Sequence, residues 1–191
     1  MARLNTRMVL VEICKEIDGH DMASLRYLTQ DVISLADLDK CKIAIDIFTH
    51  LENDKNVPAT KIIAHCLTLM EKPRLVRKLG LDPDTTLKEV ENDKTTVDLN
   101  RKALFNVAQD LSTEEVDKLI AIAKNRLPNI APAIRKLNKM EAHSRAYGLF
   151  DIMEQRKVIS SKNCSLLYQM LKHIKRTALH KYIECFTGNI I

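Results

Sequence analysis

The sequence places the residue types needed for nucleophilic chemistry side by side at one position, His65-Cys66. Neighbouring residues on a helix point about 100° apart, so the histidine is poorly placed to act as a base for the adjacent thiol. None of the H-E-x-x-H, glycine-rich phosphate-loop or G-x-S-x-G motifs of enzymes occurs. We therefore interpret the pair as structural and predict a protein that is not an enzyme and uses no cofactor and no metal.

Acidic residues at the start of two similar stretches offer a different chemistry, that of capping and ion pairing. Asp21 lies in residues 18–32 and Glu115 in residues 112–127, and a shift of 94 positions aligns these two residues as well as Leu28 with Ile122. A carboxylate in the first turn of a helix accepts hydrogen bonds from free amides and suits the positive end of the helix dipole. Each stretch is therefore predicted to be a capped amphipathic helix.

The similarity between the two halves extends to the helices around these stretches. Matching apolar residues recur at a spacing of 95–104 positions, which is too long for a solenoid repeat and fits two copies of a small domain. Apolar residues recur every three or four positions, and no segment alternates with a period of two. The predicted fold is all-α, with two consecutive six-helix bundles at residues 1–80 and 98–187, an acidic linker at 81–97 and a short tail at 188–191.

Charge is distributed unevenly along the chain, whose net charge is +5. Residues 1–80 hold 12 basic and 11 acidic side chains, residues 81–97 hold 2 and 5, and residues 98–191 hold 16 and 9. The basic second half leaves open an alternative function as a helical nucleic-acid-binding protein. Scarce aromatic residues and interleaved acids make nucleic acid a poor expectation. The candidate phosphate contacts are Lys118, Lys124, Arg126, Arg135, Lys136 and Lys139.

Cysteine usage and hydropathy bear on the compartment. The five cysteines are an odd number without a C-x-x-C pair, which favours a reducing environment. No run of 18 apolar residues is present, so we expect no membrane span. The predicted localisation is cytoplasmic.

Four short motifs lie at matching places in the helix pattern: Glu16-Ile17-Asp18-x-x-Asp21-x-x-x-Leu25-x-Tyr27-Leu28, Ile45-Asp46-Ile47-Phe48, Lys72-x-Arg74-Leu75 and Arg176-x-x-Leu179. Together with the order of helices they resemble tandem death effector domains. These are the paired six-helix modules of caspase-8-like initiator caspases and of FLIP-type regulators. The resemblance covers residues 3–80 and 97–187.

The resemblance implies roles for particular residues. In that family an acidic residue at the start of helix two pairs with an Arg-x-Asp-Leu motif in helix six, and a Phe-Leu pair on helix two forms an exposed patch that docks other copies. Here Arg74 and Ala178 stand where the aspartate is expected, so only part of the charge triad is expected. The residues implied as partner-binding are Asp21, Tyr27, Leu28, Lys72, Arg74, Glu115, Ile122 and Arg176.

Each of these residues also has a purely structural interpretation, which the sequence leaves open. Tyr27 could pack inside its own domain with its hydroxyl at the edge, and Asp21 and Glu115 could serve as helix caps alone. Basic residues such as Arg74 are often solvated surface charges that contribute about 0–1 kcal/mol in an exposed pair.

The function implied by the resemblance is a non-catalytic, homotypic interaction module. Such a module assembles with death effector domains of adaptors and initiator caspases, self-associates into filaments, and regulates caspase activation in apoptosis or innate immune signalling. The caspase signature Gln-Ala-Cys-x-Gly is absent, so a protease domain would lie beyond Ile191.

Overall fold

The computed structural model describes residues 2–53, 58–93 and 96–184; the predicted tail at 188–191 lies outside them. The chain divides into two compact units, Met1–Asp98 and Leu99–Ile191, which are described separately below. Within the described residues the secondary structure is helical apart from one isolated bridge between Ser160 and Asn163. The predicted all-α class is confirmed.

The first unit follows the predicted order of helices. Its caps agree with the sequence pattern: the Ser34 side chain accepts from the amide of Asp37 at the start of α3, and Pro73 occupies the first turn of α6, where a missing amide has no cost. The elements are α1 Ala2–Cys14, α2 Gly19–Thr29, α3 Leu35–Leu38, α4 Ala44–Asn53, α5 Ala59–Leu69, α6 Pro73–Lys78 and α7 Pro83–Asn92.

Residues 81–97, for which the sequence predicts a linker, form part of the first unit in this structure. Helix α7 packs on α5, its residue Val90 is buried, and Lys61 Nζ on α5 lies 2.6 Å from Asp93 Oδ2 at the end of α7. Asp82 caps the helix by accepting from the amide of Thr85 at 2.8 Å. The acidic, only partly periodic sequence therefore encodes a helix held by one buried face and an ion pair.

The second unit repeats the order with two irregular steps. Its elements are α8 Leu99–Gln109, α9 Thr113–Arg126, α10 Ala131–Ile134, the 3₁₀ segment η1 Arg135–Lys139, α11 Ala142–Gln155, α12 Ser165–His173, the 3₁₀ segment η2 Thr177–Leu179 and α13 His180–Ile183. The apolar residues Leu167, Leu171 and Ile174 predict a helix from Ser161 to Ile174, but helix α12 begins at Ser165. The reason is a turn at 160–163, after which Asn163 Oδ1 accepts from the amide of Ser165 at 3.0 Å.

A close approach of helices fixes the core of the second unit. A Cβ atom added to Gly148 on α11 would lie 2.6 Å from Cδ2 of Leu137, so the glycine allows η1 to pack against α11. Arg101 on α8 also binds Asp151 and Glu154 of α11, at 3.1 and 3.2 Å. Core packing and ion pairs therefore both centre on α11.

Candidate interaction site

The acidic residue at the start of the second helix is held in the same way in both units. Asp21 accepts from the amide of Asp18 at 3.4 Å, and Asp18 accepts from the amide of Asp21 at 2.8 Å. In the second unit Glu115 accepts from the amide of Ser112 at 2.8 Å, while Ser112 Oγ accepts from the amide of Glu115 at 3.3 Å. Both are reciprocal capping boxes, which fix the position of the acidic side chain.

The basic partner is also positioned identically in the two units. The residue just before it, Glu71 or Lys175, has a positive φ of 57° or 62°. The amide of Lys72 then bonds to the carbonyl of Leu67 at 2.8 Å, and that of Arg176 bonds to Leu171 at 2.9 Å. This six-residue hydrogen-bonded ring ends the preceding helix and turns the chain, so the basic side chain is directed toward the second helix.

The two sets of residues meet as ion pairs within each unit. Lys72 Nζ lies 2.8 Å from Asp21 Oδ2, and Arg176 Nη1 lies 3.5 Å from Glu115 Oε1. The Asp21 side chain is only 5% exposed, whereas Lys72 and Arg176 keep about a third of their surface, 35% each. Each pair therefore ties the start of the second helix to the start of the sixth and leaves the basic member in reach of solvent.

Around these pairs the two units use different residues. In the first unit, Glu16 forms ion pairs with both Arg74, at 3.6 Å, and Lys78. The hydrogen bond from Lys78 lowers the pKa of the Glu16 carboxyl, and the charge of Arg74 adds to the effect. In the second unit, where Ala178 stands at the position of the motif's aspartate, Arg176 donates to the carbonyl oxygen of Asp110 instead.

The Asp110 side chain is used as well, since Tyr182 donates its hydroxyl to Asp110 Oδ2 at 2.9 Å. Asp110, which follows α8, therefore contacts Arg176 through its backbone carbonyl and Tyr182 through its carboxylate. The sequence comparison of the motifs does not identify Asp110 or Tyr182 as members of this group.

The expected apolar patch on the second helix is wrong for the first unit. Tyr27 is 1% exposed and Leu28 0%, so neither forms an exposed docking surface. At about 100° per residue, the buried positions of α2 span more than half of its circumference, far wider than the stripe of a surface helix. Ile122 in the second unit is half-exposed and remains a candidate. The buried residues of α2 are Asp21, Ser24, Leu25, Tyr27, Leu28 and Thr29.

Exposed apolar side chains lie elsewhere, and the apolar periodicity misplaced one of them. The spacing of the apolar residues predicts one buried stripe on the fourth helix, formed by Ile43, Ile47, Phe48 and Leu51, but Ile43 is 58% exposed. Asp46 Oδ2 accepts from the amides of Lys42 and Ile43 at 2.8 and 3.1 Å, so α4 begins after Ile43 and this side chain stays outside the bundle. The other large exposed apolar residues among the described ones are Met8, Val11, Leu35, Leu81, Leu87, Leu99 and Met140.

The residues that suggested nucleophilic chemistry have a structural environment. Both His65 and Cys66 are fully buried, and burial raises the pKa of the Cys66 thiol to about 12. The thiol is therefore protonated near neutral pH and is not a nucleophile. Within the described ranges, Asp18, His20 and Asp21 form a group with metal-type ligands, but both carboxylates belong to the capping box and Asp21 pairs with Lys72.

Some of the basic residues considered for nucleic acid already have partners within the second unit. Lys118 pairs with Glu114 at 2.6 Å, and Arg126 donates to Gln169 at 3.0 Å. Lys136 and Lys139 are exposed on η1. The six basic residues predicted as candidate phosphate contacts therefore do not form one continuous set of unpaired cations.

No helix in the described part of the chain combines the length and apolar character that crossing a membrane requires.

Comparisons with known proteins agree with this geometry. Residues 100–189 match the family model of the death effector domain. The crystal structure of MC159 described as revealing the molecular mechanism of DISC assembly and vFLIP inhibition is similar, with a TM-score of 0.76, 19% identity, and 93% of this chain and 88% of that chain covered. A second structure, of the viral FLIP MC159, gives a TM-score of 0.76, 19% identity, and 94% and 95% coverage. No curated protein matches this chain in sequence.

These likenesses establish the class of fold. The chain folds as two consecutive death-fold bundles, the architecture of tandem death effector domains, and its second unit carries the sequence pattern of the family. The described residues contain no protease domain.

Proposed function

We propose that this chain is a non-catalytic interaction module that binds death effector domains of adaptor and initiator-caspase proteins and thereby regulates caspase activation. Tandem fold and family match support the class of module. The observation that carries the proposal is the repeated ion pair, Asp21 with Lys72 and Glu115 with Arg176, in which the acid is less exposed than the base, 5% against 35% and 20% against 35%.

Partner contacts in this proposal come from the basic side of each pair. Arg74 is 79% exposed and only weakly engaged by Glu16, so it is available to an acidic residue of a partner. Lys72 and Arg176 can share their remaining donors with a partner carboxylate, and half-exposed Ile122 adds apolar area on the second unit. Asp21 and Glu115 act indirectly, because they orient the bases.

Two tethered modules explain how weak contacts of this kind give useful affinity. A second module in the same chain meets a polyvalent partner at an effective concentration in the millimolar range for a short linker, which increases avidity by about 10²–10⁴. Self-association into filaments is also part of the proposal, because a contact between two different faces of like units can add copies in an open chain.

Calorimetric titration against the death effector domain of an adaptor tests the proposal. We expect binding by the wild-type chain and at least a fivefold weaker affinity for Arg74→Glu. Lys88→Glu is the matched control, because Lys88 is an exposed residue on α7 and the charge change is the same. Absence of binding by the wild-type chain, or equal affinities for the two variants, would contradict the proposed partner or the role of Arg74 respectively.

A reconstituted assay of initiator-caspase processing assigns the direction of regulation. The chain is added to adaptor and caspase, and processing is followed with time. Acceleration identifies an activating module and inhibition a FLIP-type regulator. Unchanged processing despite measured adaptor binding would refute regulation.

A further inference from the structure

The third element of each unit carries a surface charge of opposite sign. We define the acidic turn as residues 31–40, which contain α3, and the basic turn as residues 131–140, which contain α10 and η1. The acidic turn holds three aspartates and one lysine, a net charge of −2. The basic turn holds one arginine and two lysines without any acid, a net charge of +3. The two positions are equivalent in the order of helices.

Each of these turns also exposes one large apolar side chain. Leu35 in the acidic turn is 45% exposed and Met140 in the basic turn is 44% exposed. Exposed apolar side chains flanked by charge are typical of a contact with an apolar centre and a polar rim. The two turns are therefore similar in length and in the exposure of their apolar side chain, and they are opposite in charge.

The charges of the acidic turn are presented beside Leu35. Asp37 is held locally, since Ser34 donates to it and Lys40 binds it at 2.8 Å. Asp39 lies on the exposed side of the turn, and Ala36 between Leu35 and Asp37 is exposed too. A partner approaching Leu35 thus meets carboxylate charge on the same short element.

The charges of the basic turn are aligned by the geometry of η1. A 3₁₀ helix has three residues per turn, so Lys136 and Lys139 lie one above the other, while Leu137 between them is buried. Met140 follows Lys139, and its sulfur lies beside Gly148. The two exposed lysines therefore lie on one side of η1, and the exposed methionine follows directly after it.

We propose that the acidic turn of one copy of this chain binds the basic turn of a second copy, head to tail. Leu35 and Met140 form the centre of this contact, and Asp39 meets the lysines at its rim. The inference rests on the proposed function as a homotypic assembly module and names the surfaces used for self-association. Because the two surfaces differ, the contact is heterologous and adds further copies in a ring or an open chain.

Two physical properties of the contact follow. Both elements are short, so the buried area is small and the affinity of one contact is low. Exposed charges are screened over about 8 Å at physiological ionic strength, so added salt weakens the association.

Sedimentation velocity of the full chain over a range of concentrations and salt tests the proposal. The wild-type chain is expected to grow in size with concentration and to dissociate as salt is added. Two charge reversals, Lys136→Glu/Lys139→Glu and Ala36→Lys/Asp39→Lys, are each expected to weaken self-association at least tenfold. An equimolar mixture of the two variants is expected to restore it, because each carries turns complementary to those of the other.

A matched control separates this contact from general charge effects. Arg156→Glu/Lys162→Glu changes the charge of the second unit by the same amount, and Arg156 at the end of α11 lies about 12 Å along the helix axis from Gly148, on which η1 packs. This variant is expected to associate like the wild-type chain. Circular dichroism of all variants is expected to show unchanged helicity, so a loss of association is not a loss of folding.

Several results would overturn the proposal. These are a wild-type chain that stays monomeric at every concentration, reversals that associate normally, or a mixture of folded variants that stays monomeric. Binding of RNA by the wild-type chain that is lost in Lys136→Glu/Lys139→Glu, without self-association, would assign the basic turn to nucleic acid instead. Adaptor titration of the same variants keeps the proposed function separate, since adaptor binding without self-association refutes only the contact.

Discussion

The carboxylate of Asp21 and the ammonium of Lys72, 2.8 Å apart, join the first turn of α2 to the first turn of α6. The acid is buried and the base is partly exposed, so the pair combines an internal tie with a charged surface. The second unit forms the equivalent pair from Glu115 and Arg176, 3.5 Å apart, with the acid 20% exposed.

Removing the base is expected to destabilise the first unit. Lys72→Met leaves the buried Asp21 carboxylate without its cation, and we expect a loss of about 1–3 kcal/mol in the free energy of unfolding. Chemical denaturation followed by circular dichroism measures it. Arg74→Met is the control, with an expected change within about 0.5 kcal/mol because Arg74 is mostly exposed. Equal effects of the two changes would show that the Lys72 pair is not a structural tie.

A methyl group at Gly148 is expected to disturb the packing of η1 on α11. Gly148→Ala brings a Cβ to 2.6 Å from Leu137, and relief by movement of that leucine limits the expected loss to about 1–2 kcal/mol. Gly19→Ala is the matched control, since no atom lies within 4 Å of the new Cβ and this helical glycine has an ordinary φ. The control is expected to be neutral or stabilising by up to about 1 kcal/mol. A neutral Gly148→Ala would show that η1 does not need this close approach.

Helix α7 is expected to depend on its buried face. Val90→Ala removes apolar area against α5 and is expected to cost about 1–2 kcal/mol and to speed amide hydrogen exchange in α7. Leu87→Ala, on the exposed side of the same helix, is expected to leave both quantities unchanged. Unchanged exchange in Val90→Ala would show that other contacts between α5 and α7, such as the Lys61–Asp93 pair, hold the helix.

The stability of the first unit is expected to fall in acid partly through Asp46. Hydrogen bonds from the amides of Ile43 and Lys42 lower the pKa of this carboxyl in the folded chain. A depressed folded pKa gives stability that is present above the unfolded pKa and is lost as pH falls through the folded one, from about pH 5 downward. Denaturation midpoints across this range are expected to fall less steeply in Asp46→Asn than in the wild-type chain. Parallel slopes would remove Asp46 from the acid response.

The helical order and the helix caps could be predicted from sequence, because capping residues and apolar periodicity are local signals, whereas the acid–base pairs are expected only from the resemblance to death effector domains. The 94-position shift places Asp18 on Ser112 and Asp21 on Glu115, and the structure gives both pairs the same reciprocal bonds. Burial of Tyr27 could not be predicted in this way. Periodicity identifies one apolar face of a helix, whereas α2 is covered over more than half of its circumference.

Asp110 and Ile43 illustrate the same limit from two directions. The backbone carbonyl of Asp110 accepts from Arg176, 66 positions away in sequence, a contact that no local pattern contains. Ile43 has the right phase for a buried stripe, but the cap formed by Asp46 starts the helix one residue too late to include it. Sequence patterns therefore miss features that depend on long-range contacts or on the exact residue at which a helix begins.

The two ties also bear on how the chain is made. Asp21 and Lys72 both belong to the first unit, as Glu115 and Arg176 both belong to the second, so each bundle is closed by residues of its own half. Once Asp98 has left the ribosome, the amino-terminal half has every residue needed to close its own tie while the other half is still being translated. Early closure of that half would shield its apolar surface during synthesis.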